Sequence, residues 1–221
     1  MGSAAVDAFG PVRAQEPASD GDAGDAVPPV EPDLEEALGF LSAHLPNGLV
    51  HLVSIHPKTS QVGGQTFARS DAAGLRRWIG AREGRANLYH SVNDAGRPLR
   101  KSKLAKADIR QVRAIWADLD PHKAEEAADR GRERQRLHRL AGELHRWDHP
   151  PTVIVDSGNG IQALWMLVEP VAAAAFGSRA ERIGKTIERM LGGRENTSNL
   201  DRILRLPGTR NLPEARKLAR P

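Results

Sequence analysis

Cysteine is absent from the 221-residue chain. Disulfide scaffolds, cysteine-ligated zinc, iron–sulfur clusters and thiol catalysis are excluded with it. No apolar run approaches the roughly 20 residues that span a bilayer, so no membrane partner is expected. The N-terminus has no basic segment followed by an apolar one, so no signal peptide is visible and a cytoplasmic protein is the default expectation. The first 33 residues nearly lack large apolar side chains and are rich in Ala, Gly, Pro and Asp. They read as a disordered acidic tail. The remainder is long enough for one domain, or two small lobes, with a real core.

Net charge is +4, unevenly spread. Residues 1–33 hold seven acids (Asp7, Glu16, Asp20, Asp22, Asp25, Glu31, Asp33) and one base, Arg13, which leaves +10 on residues 34–221. Arginine supplies 25 of the 32 cationic side chains, and its planar fork suits phosphate. A body this basic points to a polyanion, and nucleic acid is the commonest one. A GC-rich coding sequence, which raises Arg and Ala together, is the competing explanation.

Hydrophobic periodicity predicts helices from Asp33 onward and over 72–81, 123–147 and 172–191. Strands are predicted over 49–55, 65–67, 87–92, 112–119, 152–155 and 161–168, with an extended segment over 199–206. Gly63-Gly64 is expected to turn the chain, and Glu169-Pro170 to close the 152–168 hairpin. Residues 97–106 have no apolar period and read as a mobile basic loop, with Arg97, Arg100, Lys101 and Lys103 available to phosphates. From 112 to 206 the order is β-α-β-β-α-β, that of the split βαβ, RRM-like unit. The expected fold class is α+β: an RRM-like split β-α-β sheet over 107–211 beside a smaller N-terminal αβ lobe over 34–106.

Three segments carry chemistry. Asp118-Leu119-Asp120 ends a buried strand, and strand alternation puts both carboxylates on one face. Two such carboxylates lose solvation and repel unless compensated, commonly by Mg²⁺ together with substrate phosphates. Asp156-Ser157-Gly158-Asn159-Gly160-Ile161-Gln162 is a glycine-rich turn between adjacent strands, whose amides can cradle an anion. Ser157 and Gln162 add neutral donors, although Asn-Gly is also an ordinary hairpin turn. In Asn199–Thr209 a period-two reading puts Asp201, Ile203 and Arg205 on one face. In the split βαβ order the last strand lies near the first, so the carboxylates of Asp118, Asp120 and Asp201 are expected to converge.

Together these residues resemble the archaeo-eukaryotic primase superfamily, in particular the primase-polymerase domains of plasmid, phage and mobile-element replication proteins. The resemblance covers roughly residues 49–211. It rests on Trp116-Ala117-Asp118-Leu119-Asp120, on Ser157-Gly158-Asn159-Gly160 with Trp165, and on Leu200-Asp201-Arg202 with Arg205-Leu206-Pro207-Gly208-Thr209-Arg210-Asn211. It implies that Asp118, Asp120 and Asp201 hold two divalent metals, Mg²⁺ or Mn²⁺, and that Ser157 and the residue at 162 bind the nucleotide. Gly158, Asn159, Gly160, Arg202 and Arg205 complete the expected nucleotide site. Many members have His where Gln162 stands; Gln donates to a phosphate but takes no proton charge near neutral pH. No Gly-x-x-x-x-Gly-Lys-Ser/Thr occurs, so a replicative helicase is expected on another chain or on a part beyond this sequence.

The expected function is a metal-dependent nucleotidyltransferase, a primase or primase-polymerase working on a single-stranded DNA template with nucleoside triphosphates during replication of a plasmid, phage or mobile element. A non-catalytic nucleic-acid-binding replication module on the same fold is the alternative. A phosphatase of the Asp-x-Asp type would want Thr or Val soon after the second Asp, whereas Pro121-His122-Lys123 follows Asp120.

Overall fold

The computed structural model describes residues 32–44, 48–122, 127–193 and 197–213. Of the tail expected over 1–33, residues 1–31 lie outside the described residues, as do residues 123–126 at the start of the third expected helix. In chain order the elements are α1 (Leu34–His44), β1 (Leu49–Ile55), β2 (Val62–Ala68), α2 (Ala72–Gly80), β3 (Asn87–Ser91), a single 3₁₀ turn (Lys106–Asp108) and β4 (Gln111–Leu119). They continue with α3 (Ala127–Leu144), β5 (Val153–Asp156), β6 (Ile161–Ala172), α4 (Ala173–Met190) and β7 (Ile203–Arg205).

Two antiparallel sheets form, in the orders β2-β1-β3-β7 and β4-β6-β5. In the second sheet α3 connects β4 to β5, and β5 and β6 are the expected hairpin, paired from Val153↔Leu164 to Asp156↔Ile161. The fourth strand of the expected RRM-like unit does not join it. β7 pairs with β3 of the first sheet, Tyr89↔Arg205 to Ser91↔Ile203, which corrects the expectation that the last strand would lie against the first strand of that unit. The physical reason is local. Residues 199–202 form a turn, with the Arg202 amide bonded to the Asn199 carbonyl (2.8 Å), so the chain changes direction before it becomes extended.

Two further expectations change. Glu169-Pro170 does not close the hairpin: β6 runs on to Ala172, and Val171 and Ala172 pair with Val112 and Gln111 across a register shift between Val112 and Ala114. Proline is tolerated in a sheet at such an irregularity, where no ladder amide is required. Gly63 and Gly64 lie inside β2 rather than in a turn. A Cβ on Gly64 would collide with the Ser102 carbonyl oxygen, so glycine here admits a close backbone approach from the 97–106 segment.

Helix ends follow their local chemistry. The Asp33 carboxylate accepts from the amides of Glu35 (2.9 Å) and Glu36 (3.1 Å), and Asp71 accepts from the Gly74 amide (2.8 Å), satisfying donors that a helix start leaves unpaired. Apolar faces then fill three clusters. Leu41, Leu52, Leu75, Ile79 and Leu88 pack under the first sheet. Leu137, Leu144, Leu119 and Ile161 join α3 to the second. Val92, Trp116, Leu164, Ala180, Leu200 and Leu204 form a core shared by both sheets and α4. That shared core holds the end of β4 against the chain that leads into β7.

Candidate active site

The three motif segments meet at one end of the molecule. Asp118 faces Gln162 across the β4–β6 ladder. The Gln162 amide nitrogen donates to Asp118 Oδ1 (3.1 Å), and its oxygen accepts from the Arg205 backbone amide (3.0 Å). One buried side chain therefore joins the Asp-x-Asp strand to β7 of the other sheet. Asn159 Nδ2 donates to Asp120 Oδ1 (3.3 Å), so both carboxylates face the hairpin, as strand alternation requires. A Cβ on Gly160 would collide with the Leu119 carbonyl oxygen, so the hairpin tip packs directly on the end of β4.

The turn itself is closed on its own amides. Ser157 Oγ accepts from the Gly160 amide and donates to the Gly160 carbonyl, both at 2.9 Å. The Ser157 amide also bonds that carbonyl (2.9 Å), and the Gly158 amide goes to Asp156 Oδ1 (2.8 Å). All three amides are engaged inside the turn, Ser157's by the Gly160 carbonyl, Gly158's by the Asp156 carboxylate and Gly160's by the Ser157 hydroxyl, so they do not form the expected outward cradle. Arg134 holds Asp156 in turn through Nη2 (2.6 and 2.8 Å).

Arg205 is buried. Its Nη1 donates to Asn87 Oδ1 (3.0 Å), and its Nη2 to Tyr89 OH (3.2 Å) and Asn211 Oδ1 (2.6 Å). Its guanidinium lies 4.5 Å from the Tyr89 ring centre. Asn211 Nδ2 bonds the Ser157 carbonyl (3.1 Å), which closes a circuit from β3 through the 207–211 loop to the hairpin. Asn87, Tyr89 and Asn211 were not singled out by sequence reasoning. Asn87 and Tyr89 occupy alternate positions on a strand, which is the signal that they share a face.

Asp118, Asp120 and Asp201 do not converge as a triad, and among the described residues no three acidic or histidine side chains are arranged to hold a metal. The turn at 199–202 presents Arg202 to Asp118, and their side chains form an ion pair. Asp201 instead accepts from Asn199 Nδ2 (2.6 Å) and lies 3.8 Å from Lys103 Nζ. A cation already sits on Asp118 Oδ2, in the form of the Arg202 guanidinium. The β4 pair thus has the donor chemistry for an oxygen-seeking divalent ion; the third acid is turned away.

Glu188 is an unforeseen member of the site. It is fully buried on α4. Its carboxylate accepts from Thr197 Oγ1, from Ser198 Oγ (2.9 Å) and from the Asp118 backbone amide. Burial pushes its pKa up, against the lowering effect of those donors and of Arg202. Its position four residues after buried Gly184, on the same side of α4, was the available signal.

The basic loop is anchored rather than free. Leu104 is buried, Lys101 pairs with Asp108 (2.7 Å) and Lys106 with Glu181 (2.6 Å), and Thr66 Oγ1 donates to the Leu99 carbonyl (3.1 Å). Arg97, Arg100, Lys101 and Lys103 remain exposed along it, and Lys103 reaches the candidate site through Asp201.

No protein-family model matches the chain, and no curated protein matches it. Solved structures do. The AEP domain of the primase-polymerase (PrimPol) of cyanophage S-2L is 18% identical, with a TM-score of 0.53, over 82% of this chain and 85% of that one. Primase RepB′ is 13% identical, with a TM-score of 0.53, over 81% of this chain and about half, 51%, of that one. The catalytic domain of RepB′ in complex with initiator DNA is 13% identical, with a TM-score of 0.51, over 80% of this chain and 78% of that one. The two-sheet architecture is that of the archaeo-eukaryotic primase-type fold.

Proposed function

We propose that this chain is a metal-dependent nucleotidyltransferase of the primase-polymerase kind, synthesising primers or extending strands on single-stranded DNA during replication of a plasmid, phage or mobile element. The observation that carries the reading is the meeting of three sequence-distant segments at one place: the end of β4, the 156–161 hairpin tip and the 199–211 segment, tied by Gln162. The solved structures of like fold support it, since they are a primase-polymerase and a primase, the latter also in complex with initiator DNA.

In this reading Asp118 and Asp120 would hold Mg²⁺ or Mn²⁺, which would supply charge neutralisation for the triphosphate and lower the pKa of the attacking 3′-OH. Arg202 and Lys103, each now beside an acid, provide cationic donors to the phosphates. Asn159 lies at the exposed hairpin tip and orients the nucleotide beside Asp120. Gln162, Arg205 and Glu188 position the acids and the strands that carry them.

The test is incubation with single-stranded DNA, labelled nucleotides and Mg²⁺ or Mn²⁺, with Asp118→Asn and Asp120→Asn as controls. Extension products lost in both variants are expected. A second reading, a non-catalytic nucleic-acid-binding module, is favoured by the Arg202 pairing and by the turned-away Asp201. DNA binding without any product, in wild type and variants alike, selects it.

A further inference from the structure

The outer face of α4 carries Arg179, Arg182, Lys185 and Arg189, all exposed. At 100° per residue these four fall within an arc of about 120°, and at 1.5 Å rise they span about 15 Å along the axis. The opposite arc is the packed one, with Gly177, Ala180, Gly184 and Glu188 buried. The helix has two acids: Glu188 is buried, and Glu181 pairs with Lys106 and accepts from the Leu200 amide (3.0 Å). Lys106 thereby ties the basic 97–106 segment to α4.

The stripe has a direction. Gly184 lies against the Trp116 carbonyl and Ser198, and Gly193 against the Leu119 side chain, so α4 runs alongside β4 toward Asp118. Arg179 therefore lies far from the carboxylate end, and Arg189 level with Glu188 and beside it in sequence. α3 is also arginine-rich, but Glu133 and Glu143 interrupt it. We infer that the exposed face of α4 is a track for a nucleic-acid backbone, which guides a single strand toward the end of β4. A row of exposed cations on one rigid helical face matches the regular charge of a polyphosphate. The inference shares with the proposed function only the nucleic-acid partner, and it does not need catalysis.

The test is fluorescence anisotropy of a single-stranded oligodeoxythymidylate with the full chain, across a range of salt. Each phosphate contact on a single strand contributes a slope of about 0.7 to log K against log salt. The variant Arg179→Gln/Arg182→Gln/Lys185→Gln should lose about 2 from that slope and bind at least about tenfold more weakly at low salt. A control removing equal charge from the β1–β2 turn, α2 and the turn before β3, Lys58→Gln/Arg77→Gln/Arg85→Gln, should keep the wild-type slope. Glutamine is a good helix former, so folding should survive, and Arg182→Gln alone, expected to lose about 0.7, repeats the test with one change. Equal losses in stripe and control variants, or none in either, overturn the inference. So does poly-glutamate of equal charge competing as well as the oligonucleotide, since the surface would then suit an acidic protein. A wild type that makes no product yet keeps a stripe-dependent slope sinks the catalytic reading alone.

Discussion

Replacing Gln162 by Ala cuts both bonds that join β4 to β7 through one side chain. The Arg205 amide loses its acceptor and Asp118 loses a neutral donor, in a place where Gln162 is 5% exposed and Arg205 7%. A buried backbone donor left unsatisfied costs about 1–3 kcal/mol, and a hydrogen bond to a charged group contributes about 1.5–3. Asp118 keeps its Arg202 partner, which limits the second term, so the expected loss is about 2–4 kcal/mol. For a chain of this size that lowers Tm by about 4–16 °C. Urea unfolding should show a lower midpoint at unchanged slope, since the surface exposed on unfolding hardly changes. Gln162→Leu separates bonding from packing: it fills the space but satisfies neither group, so it should be nearly as damaging as Ala. A loss below about 0.5 kcal/mol in Gln162→Ala, or a Leu variant as stable as wild type, refutes the bridging role. Gln162→His restores one donor and one acceptor on a single ring, and increased nucleotide incorporation in that variant would mark the native residue as one that restrains the enzyme.

Glu188 should give the protein a pH signature. Its raised pKa means that the folded state holds a proton which the unfolded chain has already released, so stability falls as pH rises from about 4.5 through the folded value. Glu188→Gln should flatten this part of a Tm-against-pH curve, and an unchanged curve excludes Glu188 as its source. Asp118→Asn leaves Arg202 without its carboxylate and should cost about 1–2 kcal/mol in urea unfolding, while Asp120→Asn, which is only half-buried, should stay within about 0.5. Gly160→Ala places a methyl group on the Leu119 carbonyl and should destabilise by more than about 2 kcal/mol, read by the same denaturation. Mn²⁺ should raise the Tm of wild type and not that of the double variant Asp118→Asn/Asp120→Asn; an equal rise in both places the ion elsewhere.

The parts of the fold that were legible in the sequence are those set by near neighbours. β4 and the β5–β6 hairpin follow from short apolar runs and an Asn-Gly turn, and α2 and α4 from helical spacing with local caps. The partner of β7 was not legible: a three-residue strand carries too little pattern to choose between two sheets, and its choice depends on Tyr89, more than a hundred residues earlier. The site was misjudged at Asp201 for a related reason. Period-two reasoning holds only along extended chain, and the turn at Asn199–Arg202 shifts the face by one residue, so Arg202 meets Asp118. Gln162 was singled out as a neutral donor of the hairpin, but its place opposite Asp118 depends on the β4–β6 register, which the sequence pattern did not specify. Glu188 was missed because an acid on an arginine-rich helix looks solvated until Thr197, Ser198 and the Asp118 amide close around it.

The pairing of β7 with β3 also sets an order of events. Tyr89 and Arg205 are 116 residues apart, and contacts of such long range are late to form, because closure entropy must be overcome before they return any energy. The β2–β1–β3 part of the first sheet and the β5–β6 hairpin can each assemble from nearby chain, and during synthesis both emerge before residue 203. The Asp-x-Asp end of β4 therefore exists before Arg202 arrives, with only Gln162 and Asn159 of the hairpin beside its carboxylates. Formation of the candidate site is then the closing step of folding. Released chains truncated just before or just after β7 should differ in whether they bind the nucleotide of the proposed function, although they differ little in secondary structure.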